Sequence, residues 1–186
     1  MEGKEGAMEA VTRVVAGKIK TVLSKAKFDF SDLMEIRLRA CQPMILNLAR
    51  GETFLTKDGQ FTKNQALGYI VGVQELHETM EYISNYSLYA FEEEVKQGYI
   101  TIAGGHRVGV CGRTELSGGS VRSMKYISFL NIRIAHEVKG CADQLLPKLF
   151  GLDGQVCHTL FIAPPGAGKT TMLRDLVRQL SNRGQT

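Results

Sequence analysis

Phe161-Ile-Ala-Pro-Pro-Gly-Ala-Gly-Lys-Thr-Thr171 is the stretch whose reading decides the fold. The run before it, Gln155-Val-Cys-His-Thr-Leu-Phe-Ile162, follows Gly154 and is short, apolar and rich in β-formers, which predicts a buried parallel strand. After it, Thr170-Thr-Met-Leu-Arg-Asp-Leu-Val-Arg-Gln-Leu180 carries apolar residues at 172, 173, 176, 177 and 180, all on one helical face. Strand, glycine-rich turn and helix, in that order, is the context a phosphate-binding loop requires.

The chemistry of such a loop is specific. Gly166 and Gly168, with Ala167 between them, allow a tight turn whose backbone N–H groups can approach phosphate closely. The helix that follows aims its N-terminal dipole and free N–H groups at the same anion. Lys169 would set a point charge on the β- and γ-phosphates, and Thr170 would offer its hydroxyl to Mg²⁺. The strict pattern G-x-x-x-x-G-K-[ST] calls for glycine at 163, where this chain has Ala163, a mild change between small residues. Pro164-Pro165 stiffens the entry. A ligand-free glycine turn is the competing reading, but the loop, Lys169-Thr170 and both flanking elements agree on phosphate.

Hydrolysis needs more: an acidic residue on a neighbouring strand to hold Mg²⁺, a residue that positions water, and often an arginine finger. These normally lie downstream of the loop, and here only Ser181-Asn-Arg-Gly-Gln-Thr186 follows the helix. One strand and one helix cannot make a doubly wound sheet. The sequence therefore reads as the front part of a longer protein, and the chain is not expected to be a competent ATPase alone.

The 186 residues suit one domain of ordinary size, or one domain plus a fragment of another, with 44% hydrophobic and 23% charged residues as in soluble globular proteins. A net charge of +4 permits nucleic acid, an acidic membrane surface or an acidic partner and chooses none of them. No apolar run approaches the roughly 20 residues needed to span a bilayer, and Met1-Glu-Gly-Lys-Glu-Gly6 lacks the apolar core of a secretory signal. The four cysteines (41, 111, 141, 157) show no C-x-x-C pairing, which favours reduced, buried thiols over zinc or disulfides.

Read in order, residues 8–26 predict one amphipathic helix. Leu33–Ala40 alternates Met34, Ile36 and Leu38 with Glu35, Arg37 and Arg39, a strand with a charged outer side; 44–48 and 53–56 continue it as a meander. Helices are predicted over 65–73, capped by Thr62 or Asn64, and over about 75–91. Tyr99–Ala103 and His106–Arg113 flank Gly104-Gly105 as a hairpin, Ser117–Gly119 is a further turn, and 127–135 is a strand. A helix over 141–150 leads to the phosphate-loop strand. The expected division is an N-terminal α+β domain at 1–140 with a mixed or antiparallel sheet and flanking helices, a linker at 141–154, and the beginning of a P-loop domain at 155–186, α/β in class as a whole.

Arg37, Arg39, Arg107, Arg113, Arg122 and Arg133 all lie in or beside the predicted strands. Sharing one face, they would make an anion-binding surface for phosphate, single-stranded nucleic acid or an acidic subunit; otherwise they are solvated charges among Glu35 and Glu92–Glu94. The chain has no Trp, and the aromatic interleaving of a single-strand binder is weak. His106 and His136 have no metal-ligand spacing, so ordinary polar roles are expected of both.

Glu35-Ile-Arg-Leu-Arg39, Gly104-Gly-His-Arg-Val-Gly-Val-Cys-Gly-Arg113, Ser128-Phe-Leu-Asn-Ile-Arg-Ile-Ala135 and Ala163–Asp175, in this order, make the chain resemble the stage III sporulation protein AA type of ATPase from endospore-forming bacteria. That family is similar to the motor ATPases of type II and type IV secretion. The resemblance implies an N-terminal docking or coupling domain joined to a RecA-like ATPase core that uses ATP and Mg²⁺. It further implies a homo-oligomeric ring in the mother-cell cytoplasm, peripheral at the membrane through channel subunits, that energises the channel between mother cell and forespore. Only the loop carries over with a chemical role, at Gly166, Ala167, Gly168, Lys169, Thr170 and Thr171. A RecA-like ATPase acting on single-stranded nucleic acid and a non-enzymatic assembly module are the alternatives.

Overall fold

The computed structural model describes residues 9–85, 91–118, 120–136, 138–164 and 167–184. The chain divides into two compact units, 1–135 and 136–186.

In the first unit the period-2 alternation read from the sequence becomes an antiparallel sheet of seven strands. Strand β1 (Leu33–Arg39) continues through β2 (Ile45–Leu48), β3 (Gly51–Leu55) and β4 (Phe61–Thr62) as one meander. Strands β5 (Tyr99–Ile102), β6 (His106–Ser117) and β7 (Ser120–Arg133) form a second meander. β7 returns to pair with β1, giving the order β4-β3-β2-β1-β7-β6-β5. The predicted meander and the predicted hairpin both form, and the strand predicted over 127–135 is the end of β7; β6 and β7 run further towards their connecting turn than alternation alone indicated.

The register sets one apolar row across five strands, Leu46, Ile36, Ile132, Val108 and Ile100, every member fully buried. Helix α1 (Gly17–Lys25) adds Ile19, Val22 and Leu23 to this core, and α2 (Val73–Ile83) adds Leu76, Met80 and Ile83. A short helix α3 (Glu92–Lys96), not foreseen from the sequence, contributes Val95.

Three helix predictions in this unit need correction. The single helix over 8–26 is two, a segment at 9–14 and α1, broken at Val15-Ala16. The break has a partner: Ala16 N–H donates to the buried Thr79 hydroxyl at 3.0 Å, and Gly17 N–H donates to Glu78 Oε1 at 3.1 Å. Side chains of α2 thus satisfy amides that a continuous helix would have spent on its own carbonyls. Residues 65–73 give only a 3₁₀ turn at Gln65–Leu67, capped by Asn64. The segment then extends, exchanging backbone bonds with Met44, Leu55 and Cys41. The helix predicted over 75–91 is α2, ending at Ile83; residues 86–90 lie outside the described part.

At the start of α2, Glu75 accepts from Gly72 N–H at 2.7 Å and from the Tyr69 hydroxyl, and burial together with this carboxylate pushes the Tyr69 phenol pKa up. The four thiols are free, but Cys41, Cys111 and Cys157 are exposed and Cys141 is half-buried, so the expectation of buried thiols does not hold.

In the second unit the helix predicted over 141–150 is a series of turns ending in a 3₁₀ helix, Leu146–Leu149, because Pro147 withholds an amide. The strand predicted over 155–162 does not form as a strand. A single bridge joins Phe150 to Val156, and residues 157–164 have no ladder partner among the described residues. A parallel strand exists only between neighbours that take both its N–H and C=O groups. Helix α4 (Lys169–Asn182) then forms as its apolar spacing predicts.

Candidate phosphate-binding site

Helix α4 opens where the sequence places the end of the loop. Gly168 is its N-cap, in the left-handed region at φ +80°, a conformation that favours glycine. Its carbonyl accepts the first helical bond, from Met172 N–H at 2.9 Å. On the entry side, Ala167 N–H donates to Pro164 O at 3.3 Å. The first turn of α4 contains no acidic residue, so its N-terminal amides face no carboxylate of their own turn.

Lys169 folds back over this turn. Its Nζ donates to Ala163 O at 2.7 Å and to Pro164 O at 3.2 Å, so the ammonium is held by carbonyls of the loop that leads to it. Thr170 is exposed and Thr171 half-buried. The structure therefore brings Ala167, Gly168, Lys169, Thr170 and Thr171 together at one helix start; Gly166 and Pro165 lie outside the described residues. These residues fit a nucleotide phosphate bound with Mg²⁺: amides, one lysine ammonium and an exposed hydroxyl meet at a helix N-terminus with no carboxylate of its first turn against them. Among the described residues no group of three His, Cys, Asp or Glu side chains could hold a metal.

Sequence reasoning quoted Asp175 and gave it no role. It is buried at 3% exposure. Arg178 holds its carboxyl well below the usual carboxylate range against the opposing effect of burial, with Ala142 N–H and Gln179 adding to the same end. Cys141, beside it, has its thiol pKa pushed up by burial and by the Asp175 charge. The available signal was a lone carboxylate next to Leu176 on the inward side of an amphipathic helix.

The sequence profile of the family described as "Sporulation stage III, protein AA" matches residues 5–186. The chain belongs to that family. It is 37% identical over 179 residues to the stage III sporulation protein AA of Bacillus subtilis (strain 168), covering 96% of this chain and 53% of that one. The chain thus spans about half the length of the curated relative it matches. Among solved structures it is similar to the ATPase DotB of Legionella pneumophila, at 13% identity and a TM-score of 0.41, covering 88% of this chain and 40% of that one. It is also similar to the VirB11 ATPase of the Brucella suis type IV secretion system, at 11% identity and a TM-score of 0.35, covering 97% of this chain and 45% of that one.

The strand arginines of this family member are largely committed. Arg37 donates to Glu35 at 3.1 Å and to Glu52 at 2.5 Å. Burial pushes the Glu35 carboxyl up, but hydrogen bonds from Arg37, Asn131 and Asn47 outweigh it and leave the group below its ordinary value. Arg39 lies over the Phe129 ring at 5.1 Å and Arg107 over the Tyr99 ring at 5.5 Å. Arg133 stands directly between Glu35 and Arg107 in the register, Arg113 stands opposite Lys125, and the Arg122 side chain lies outside the described residues. Of these arginines Arg37 is charge-paired and Arg39 and Arg107 are ring-stacked. His106 takes a structural role, buried and accepting from Ala135 N–H. Among the described residues no helix is long and apolar enough to cross a membrane.

Proposed function

We propose that this chain is the N-terminal part of a P-loop ATPase, in which Gly166, Ala167, Gly168, Lys169, Thr170 and Thr171 bind the phosphates of ATP and Thr170 presents its hydroxyl to Mg²⁺. One observation carries the reading. A left-handed glycine opens α4 beside a lysine whose ammonium rests on two loop carbonyls, within reach of whatever anion the helix start attracts. Bound Mg-ATP supplies the hydrolysable phosphoanhydride; the chain's own residues orient and neutralise the phosphates, with Lys169 exchanging carbonyl partners for phosphate oxygens.

Membership of the sporulation family supports a motor role in sporulation. In this reading the protein assembles as a ring in the mother-cell cytoplasm, docks on membrane-channel subunits and powers the channel to the forespore. Residues 1–140 serve as the docking and coupling domain, 141–154 as linker, and 155–186 as the start of a RecA-like core. The test is titration calorimetry of Mg-ATP on this chain against Lys169→Ala. Binding that the substitution abolishes upholds the phosphate site, and equal binding by both proteins removes it.

A further inference from the structure

Position 175 breaks the pattern of α4. Met172, Leu176 and Leu180 line the packed side, yet between them a carboxylate is buried at 3% exposure. It is fully engaged. Arg178 donates to Oδ1 from Nε at 3.1 Å and from Nη2 at 2.5 Å. Oδ2 accepts from Ala142 N–H at 3.1 Å and from Gln179 Nε2 at 3.0 Å, and Gln179 also donates to Asp143 Oδ1 at 2.7 Å. The carboxylate staples the turn that begins at Gly140 onto a helix 33 residues further along the chain.

Stability alone does not call for this arrangement, because replacing a buried ion pair with well-packed apolar groups is often neutral or stabilising. A carboxylate supplies what a leucine cannot: a directional acceptor that fixes one depth and one register for the segment it holds. That segment carries Leu146 and Leu149, which share a buried cluster with Ala142 and Leu176, and Phe161 and Met172 pack against the cluster. Phe161 leads into Ala163, whose carbonyl holds Lys169; Met172 N–H closes the first turn on Gly168. Both arms of the loop therefore rest on the cluster whose register Asp175 sets.

We propose that Asp175 is a positioning residue for the phosphate loop: by fixing the Gly140–Leu149 segment on α4 it holds the two arms of the loop at the spacing that phosphate binding needs, without touching phosphate itself. This rests on the reading of the loop as an ATP site.

The test uses the full chain with Asp175→Leu and Asp175→Asn, and three readouts: melting temperature, Mg-ATP affinity by calorimetry, and hydrogen exchange at the Ala142 and Ala167 amides. Asp175→Leu leaves the Ala142 amide and Arg178 without their acceptor, so it is expected to melt lower than the native chain, to bind Mg-ATP about tenfold more weakly or worse, which is about 1.4 kcal/mol, and to exchange faster at both amides. Asp175→Asn keeps one acceptor oxygen and should fall between the two. A folded Asp175→Leu chain with native affinity and native exchange at Ala167 overturns the proposal. Should the leucine variant not fold, the asparagine variant decides on the same readouts, and native values at Ala167 again overturn it. If the native chain takes up no Mg-ATP, the ATP reading falls, while exchange at Ala167 still decides whether Asp175 positions the loop.

Discussion

The backbone N–H of Ala135 donates to Nδ1 of the buried His106 across 2.9 Å, tying the chain just beyond β7 to the first residue of β6. A ring nitrogen that accepts leaves the proton of the neutral imidazole on Nε2. Gly104 sits against that edge of the ring at φ +81°, and a Cβ there would lie 2.8 Å from Nε2. The Gly-Gly-His-Arg motif, which has no evident chemistry in the sequence, is thus a packing joint.

Gly104→Ala should lower stability by about 1–3 kcal/mol, from the left-handed backbone and the collision together. His106→Leu should cost a similar amount by leaving the Ala135 amide without its acceptor, about 1–3 kcal/mol. The two effects share one contact, so the double variant should be less damaged than their sum. Urea unfolding of all four proteins measures this, and strict additivity would show that the contact carries no energy.

Thr79→Val should destabilise the chain by about 1 kcal/mol through loss of the cap on the Ala16 amide, whereas Thr79→Ser should stay close to native. Shape is nearly conserved in the valine variant, so packing alone predicts no loss. The midpoint of denaturant unfolding separates the two outcomes.

Ile132 sits at the centre of the buried row, flanked by Ile36 on β1 and Val108 on β6. Ile132→Ala should cost about 2–5 kcal/mol, since neighbours held on the two flanking strands collapse poorly into the space. Leu116→Ala, at an exposed position of β6, should change stability by no more than about 0.5 kcal/mol. Comparable losses from the two would mean that the register across β1, β6 and β7 is wrong.

The strands were legible because their faces differ: Ile36 and Leu38 alternate with Glu35, Arg37 and Arg39, and one slip in register would exchange every one of them. The division of the first helix was not legible. Its cause, the Thr79 hydroxyl, lies 63 residues away from Ala16. The extended backbone after Gln65–Leu67 was hidden for a similar reason, since tertiary bonds from Tyr69 and Val71 to the sheet overrode a weak local helical pattern. At the candidate site, Lys169 and Thr170 were legible by motif and spacing. The hold of Lys169 on Ala163 and the burial of Asp175 depend on how the 140–164 segment folds back on α4, which no local pattern records.

Asp175 also sets an expected acid response. Its carboxyl pKa is held below the usual range by Arg178, whereas in the unfolded chain it returns to about 3.9. A depressed carboxylate contributes in full above the unfolded value and loses its contribution as pH falls towards the folded one. Protection of the α4 amides should therefore fall more steeply below about pH 4 in the native chain than in Asp175→Asn, with parallel curves above it. Identical slopes in the acid limb would show that the Arg178 pair does not stabilise the fold.

Leu160 and Ile162 are 82% and 87% exposed, on a stretch whose backbone has no ladder partner among the described residues. Apolar side chains beside unpaired N–H and C=O groups form an edge that a second copy can pair with. This chain should therefore self-associate as its concentration rises, independently of nucleotide. Leu160→Lys with Ile162→Lys should abolish that association, because like charges brought together across a paired edge repel. Sedimentation velocity over a concentration series measures the effect. A native chain that stays monomeric throughout would rule out the association, and a doubly substituted chain that associates as strongly as the native one would place the contact elsewhere.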